Sequence, residues 1–265
     1  MTSVLYIASR QGEPNDGYWS PVGRLEHENG VYRFVYTRGA TSLEGFQPFP
    51  GMPDLHAVYE SDVLFPLFAN RLLSPSRPEY ESFLIWGGFD PASRPDPLAI
   101  LGVTRGLRQT DSFEVFPCPT RGADGRYQSK FFLHGVRWMH PAAVERIEGL
   151  NLGEPLRLAL EVGNPTDANA VQVQTTDRSG RMLIGYIPRY LAADVRDLCS
   201  QCHPDLIDVA VERVNHGAPL QQRVLCSLAS CWPDGFTPCD TDPFQSIAVV
   251  AHDSATGPMG KDRRG

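Results

Sequence analysis

The chain has almost no lysine: of its 24 basic residues only Lys130 and Lys261 are lysines, and the other 22 are arginines. A diffuse coat of point charges is thereby excluded, and planar, bidentate contacts to carboxylate or phosphate are favoured. Positive charge is also in deficit. Against 31 acidic residues the net charge is −7, so the chain as a whole is not an electrostatic nucleic-acid binder, and any such activity is local. No apolar run approaches the roughly 18 residues of a spanning helix. The opening MTSVLYIAS lacks the basic flank and long apolar core of a secretory signal. A cytoplasmic location with no membrane partner is expected.

Catalytic signatures are missing as well. There is no G-x-x-x-x-G-K-[ST] phosphate loop, G-x-G-x-x-G turn, G-x-S-x-G elbow or H-E-x-x-H zinc helix, and Gly260-Lys261 is followed by Asp262. Nucleotide hydrolysis is not expected, and no nucleophile, base and oxyanion set can be assembled; the expectation is a binding protein without a cofactor. Glu145 and Glu148, one helical turn apart around Arg146, read as a solvated helix face. Cys199-Ser200-Gln201-Cys202-His203 spells C-x-x-C-H. Haem attachment through it requires export, and zinc requires a fourth ligand from Cys226, Cys231, Cys239 or His216, among which no second close pair stands. The preferred reading is two partly buried thiols in a chain whose 6 cysteines are all reduced, with no metal; zinc stays open as the alternative.

What is present divides at the turn-rich stretch 118–125 into residues 1–120, 121–235 and a tail, 236–265. In the first region Val4–Ala8, Val22–His27, Val31–Tyr36 and Phe113–Phe116 read as strands, with Asn29-Gly30 as a hairpin turn. Segments 67–73, 78–86 and 97–103 carry helical signatures, the last two opened by proline. Downstream, strands are expected at 131–138, 156–161, 170–175, 182–187, 207–214 and 222–231, and helices at 142–148 and 189–198. The fold class is α+β: a small antiparallel sheet with helices, then a small β-barrel with two helices. Beyond about Phe236 the Pro, Gly, Asp, Ser and Thr content predicts a flexible tail.

Four segments recur in a definite order: Phe132-Leu133-His134-Gly135-Val136-Arg137-Trp138, Leu152-Gly153-Glu154-Pro155-Leu156, Asn164-Pro165-Thr166-Asp167-Ala168-Asn169-Ala170-Val171 and Ile184-Gly185-Tyr186-Ile187-Pro188-Arg189. This order resembles the HIRAN domain, over roughly residues 129–200 and on to about 235. The resemblance implies a modified OB-like barrel and binding of single-stranded DNA at its 3′ end, in repair or genome maintenance. By motif position it implies that Arg137 and Trp138 match the arginine and tyrosine of the family's first binding strand, and Asn164 and Asp167 the asparagine and aspartate of its loop. Tyr186 and Arg189 fall where the DNA-binding domain has a histidine and a lysine. Thr166 stands where it has a second aromatic.

Read physically, Asn164-Pro165 sets an extended entry, and Asp167 and Asn169 form turns that present polar groups at one end of the barrel. A carboxylate there accepts a hydrogen bond from a terminal hydroxyl and repels a terminal phosphate. Trp138 and Tyr186 are suited either to base stacking or to a barrel core. Arg137 and Arg189 suit phosphates, or serve as surface partners for Glu161 or Asp194. Residues 121–235 hold 12 basic and 13 acidic residues, a net of −1, so binding is expected to be weak and salt-sensitive.

The first region, through Val22-Gly23-Arg24-Leu25, Tyr32-Arg33-Phe34-Val35-Tyr36, Phe49-Pro50-Gly51 and Leu64 to Leu73, resembles the N-terminal subdomain of HipA-type toxin kinases. That likeness implies a protein partner for residues 1–120 and, as the alternative function, a regulatory module of toxin–antitoxin type.

Overall fold

Two antiparallel sheets share β1 as the element that faces both of their cores. The computed structural model describes residues 3–11, 18–106, 112–178 and 180–248. In the first sheet β1 (Ser3–Gln11) pairs with β2 (Tyr18–Glu28), and β3 (Val31–Tyr36) folds back on β2. The turn between them places Asn29 at φ 52° and Gly30 at φ 81°, both left-handed as a two-residue hairpin requires. With β4 (Tyr59–Ser61) and β5 (Phe113–Pro117) the order is β4-β3-β2-β1-β5.

Three short helices pack on this sheet, α1 (Gly39–Ser42), α2 (Pro66–Ala69) and, after α3 (Tyr80–Trp86), α4 (Pro97–Thr104), while α3 reaches toward the second sheet, its Trp86 carbonyl accepting from Asn215 Nδ2 at 3.0 Å. Pro97 occupies the first turn of α4, where its missing N–H costs nothing, and the Asp96 carboxylate accepts from the Leu98 N–H at 3.1 Å. Leu5 and Ile7 of β1 point into a core with Phe34, Phe49, Phe68 and Leu98, whereas Tyr6 and Ala8 point the other way, into the core of the second sheet. This is the period-2 alternation of a strand buried on both faces.

The second sheet comprises β6 (Tyr127–Phe132), β7 (Pro155–Leu160), β8 (Val171–Gln174), β9 (Leu183–Tyr186), β10 (Asp208–Val214) and β11 (Val224–Ser230). Its order is β6-β11-β10-β7-β8-β9, antiparallel throughout. The sheet curls into a half-barrel, and its free edge is tied back where His134 and Tyr186 exchange both backbone hydrogen bonds, at 3.0 and 2.9 Å. Helices α5 (Pro141–Glu148) and α6 (Arg189–Gln201) complete the unit, and α6 buries Leu191, Val195 and Leu198 against Val171, Val173 and Ile184.

Three expectations change. The strand expected at 131–138 ends at Phe132, because Gly135 at φ 72° turns the chain and 136–138 form a 3₁₀ turn. Residues 236–248, expected as the start of a flexible tail, carry apolar anchors that dock on both sheets. Phe236 is buried, Phe244 packs edge-on against Tyr6 with ring centroids 4.9 Å apart, and the Ile247 N–H donates to Tyr36 O at 2.9 Å. Residues 249–265 lie outside the described residues. Finally, Cys202 and Cys231 form a disulfide, so the cysteines are not all reduced; the end of α6 and the segment after β11 come within 6.2 Å, Cα to Cα. Among the described residues no helix is long and apolar enough to cross a membrane.

Candidate nucleic-acid interface

The Asn164–Asn169 loop is built by its own side chains. Asn164 Oδ1 accepts from the N–H groups of Thr166 and Asp167 at 2.9 and 3.0 Å, and Asp167 Oδ1 accepts from the Asn169 N–H at 2.9 Å. These are side-chain turns of the kind Asn and Asp favour. Asp167 is therefore fixed by the loop, and its second oxygen faces Arg189 Nε at 3.8 Å. Arg189, at the head of α6, also donates to the Thr166 carbonyl. Asn164, Asp167 and Arg189 thus form one contiguous group at the end of the barrel.

Tyr186 lies on the outer face of β9, paired in register with Gln172 of β8. Burial raises the pKa of its hydroxyl, with the Glu161 carboxylate adding to the rise. Gly135 crosses directly over this ring. A Cβ at Gly135 would sit 3.0 Å from Tyr186 Cδ2, so close approach and positive φ both call for glycine here. Three residues on, the turn throws Trp138 outward at 67% exposure, with the Arg137 guanidinium 4.5 Å from the centre of its ring. Trp138 is not a core residue. It flanks an open groove of about 330 Å³ lined by Met139, His140, Ala142, Arg181 and Leu183. The six sequence-derived residues accordingly fall into two neighbouring sets: Asn164, Asp167 and Arg189 at the loop, and Arg137 and Trp138 at the turn, with Tyr186 between them on β9.

The turn is held from behind by residues that no local motif marks. Glu114 of β5 accepts from Trp19 Nε1 at 2.6 Å and from Arg105 Nε at 3.2 Å, and the Arg105 guanidinium reaches on to His134 Nε2. Because guanidinium only donates, His134 Nε2 is the acceptor and its proton is assigned to Nδ1. Burial pushes the Glu114 carboxyl up, but Arg105, His134 and Trp19 together overcome it and hold the pKa at about 2. Burial and the Arg105 charge push His134 well down, against Glu114, so its imidazole is neutral at physiological pH. Arg105 itself adopts φ 63°, a left-handed conformation uncommon outside glycine and one that local contacts must sustain.

Other sequence candidates find different partners. Glu148 is engaged by Arg223 and by His216 Nδ1 at 2.9 Å, Arg146 by Asp177 and Glu154, while Glu145 is exposed. No pair of carboxylates is left poised for catalysis there. Asp194 is half-buried, with Oδ2 shielded from solvent and, among the described residues, without a hydrogen-bond partner, so it is not the surface partner of Arg137 or Arg189. Cys202 is occupied by Cys231, and among the described residues no group of three or more His, Cys, Asp or Glu is arranged to hold a metal.

Residues 127–229 match the family model of the HIRAN domain. A solved structure, the HIRAN domain of human HLTF, is similar at 18% identity over 39% of this chain and 74% of that chain, with a TM-score of 0.29. No curated protein matches the chain. A HIRAN domain therefore occupies 127–229, and the match extends over none of residues 1–120, so the HipA likeness gains no support from it.

Proposed function

We propose that the chain is a nucleic-acid-binding protein that takes a single strand, with DNA 3′ ends as the preferred ligand, on the outer face formed by Arg137, Trp138, Tyr186, Asn164, Asp167 and Arg189. The observation that carries this reading is Trp138: a large aromatic, 67% exposed, with a guanidinium over its ring, inside the segment that matches a HIRAN domain. Burying such a ring in its own core is the cheaper outcome for a chain, and base stacking on an exposed aromatic contributes about 1–3 kcal/mol per base. Arg189 supplies a cation beside the loop, and Asp167 an acceptor for a terminal hydroxyl. Thr166 provides no second ring, so stacking rests on Trp138 and Tyr186. A role in repair or genome maintenance follows from the same reading.

Fluorescence anisotropy with the full chain tests it, using single-stranded DNA ending in a 3′-hydroxyl or a 3′-phosphate at low and moderate salt. The hydroxyl end is expected to bind more tightly, and Asp167→Ala to erase the difference. Equal affinity for both ends would remove end selection, and no binding at micromolar protein would remove the function.

A further inference from the structure

The segment after the barrel is fastened at both ends and carries a thiol in its middle. At its start Cys231 is bridged to Cys202 of α6. At its far end the Arg38 N–H donates to Gln245 O at 2.8 Å and the Ile247 N–H to Tyr36 O, so 231–248 runs from the second sheet to the first. Between these anchors Cys239 is half-buried and adopts φ 56°, a left-handed conformation that glycine or asparagine takes more easily than cysteine.

A second thiol comes from the first sheet. Cys118 directly follows β5, its N–H donates to Val4 O at 3.2 Å, and its Sγ lies 3.8 Å from the Pro238 carbonyl oxygen. In a trans peptide that oxygen is about 2.8 Å from the Cα of the next residue, which places the Cys118 sulfur within about 7 Å of Cys239 Cα. Ring contacts hold the two segments together: Phe116 and Phe244 are edge-on with centroids 6.4 Å apart, both against Tyr6, and Phe236 is edge-on to Tyr127 at 6.1 Å. Cys118 and Cys239 pack against this same core. The Cys118 thiol, then burial, pushes the Cys239 thiol well up, and both thiols add to the rise that burial imposes on the Tyr6 hydroxyl. Both cysteines are free and half-buried, within reach of a small solute, whereas Cys226 is enclosed in β11.

We propose that Cys118 and Cys239 are a redox-active dithiol that closes to a second disulfide, fastening 231–248 to the end of β5 and so the barrel to the first sheet. The whole of 127–229 then lies inside the closed loop. The oxidant is a small-molecule disulfide of the glutathione class. One protein thiolate attacks a glutathione disulfide sulfur, breaking that S–S bond, releasing one glutathione thiolate and leaving a mixed disulfide. The second protein thiolate attacks the protein sulfur of the mixed disulfide and releases the other glutathione. The two protein thiols thus give up two electrons and two protons, and the oxidant leaves as two thiols. This pairing is independent of strand binding.

The test equilibrates the folded full chain in glutathione buffers from reducing to oxidising, followed by acid quench, alkylation and peptide mapping by mass spectrometry. At the oxidising end the peptides carrying Cys118 and Cys239 are expected as one linked species, two hydrogens lighter than the separate pair, with Cys199 and Cys226 recovered as free thiols. Cys226→Ser should keep the link and Cys118→Ser should abolish it. The melting temperature should rise with the linked fraction by about 5 °C or more, a rise missing from Cys118→Ser. Should Cys118→Ser fail to fold, the map of the unaltered chain decides. Free Cys118 and Cys239 in the folded chain at the oxidising end, or either of them linked to Cys199 or Cys226, would overturn the pair. A linked pair with no rise in melting temperature would overturn its fastening role.

Discussion

The two sheets handle their aromatic residues differently: both bury rings, Tyr127, Phe131 and Tyr190 among them in the barrel, but in different proportion. The first sheet buries Phe34, Tyr36, Phe49 and Phe68 in one cluster of ring contacts, with centroids 5.0 to 5.9 Å apart. The half-barrel fills its interior largely with Val, Ile and Leu and turns Trp138 out to solvent. Buried rings contribute area and packing to stability; an exposed ring contributes neither and is free to contact a ligand. The same division separates two shielded carboxylates. Glu114 at the seam is buried, paired and held at about 2, whereas half-buried Asp194 in the barrel has no ion pair among the described residues and is pushed by burial, with Asp197 adding, to about 7. The first region is built for stability and the barrel carries the features that stability does not explain.

Breaking the seam should have the largest effect. Glu114→Ala leaves Arg105 buried without its acid, a loss of about 3–5 kcal/mol, to be read from urea unfolding. Phe34→Ala should cost about 3–5 kcal/mol through its cavity, while Ile184→Val in the barrel should cost only about 1 kcal/mol. Opening the Cys202–Cys231 bridge frees a loop spanning 29 residues, and Cys202→Ser should lower stability by roughly 3–4 kcal/mol on chain-entropy grounds. Comparable losses from Glu114→Ala and from a surface carboxylate such as Glu145→Ala would break the comparison.

Acid and base should separate the two carboxylates. Glu114 has a folded pKa below its ordinary 4.5, so its contribution is present above that value and is lost as pH falls toward about 2. Asp194 has a folded pKa above its ordinary 3.8, so stability is greatest below that value and declines as pH rises through about 7. Asp194→Asn is therefore expected to stabilise the chain at pH 8 by roughly 1–3 kcal/mol and to change little at pH 4. Thermal unfolding across pH 2–9 checks both signs, and a destabilised Asp194→Asn at pH 8 would show that the carboxylate has a partner. Smallest of all is the expected effect of Trp138→Ala on folding, within about 0.5 kcal/mol, despite the size of the residue.

Much of this architecture was legible in the sequence because its signals are local. Asn29-Gly30 marks a hairpin through φ preference alone, Pro97 and Pro141 open helices by their fixed φ, and Asn164 to Asn169 spell a loop whose hydrogen bonds span two or three residues. The HIRAN-like segment order carried the barrel. What could not be read depends on tertiary approach. Glu114, Arg105 and His134 come from a strand, a helix end and a loop on two sheets. The Cys202–Cys231 pairing is one of several that six cysteines allow. The exposure of Trp138 follows from one left-handed glycine upstream, and the docking of 236–248 from three apolar residues in a polar stretch.

The claim that the exposed face of the barrel takes a single strand is tested most directly by the fluorescence of its own indoles. The chain has 4 tryptophans, and Trp138 is the one set against the proposed ligand. Titrating single-stranded DNA into the full chain and into Trp138→Phe should quench emission in the first and leave it nearly unchanged in the second, with binding of Trp138→Phe followed independently by anisotropy. Quenching that persists at full amplitude in Trp138→Phe, or a strand that binds without quenching either protein, would place the ligand elsewhere and contradict the account.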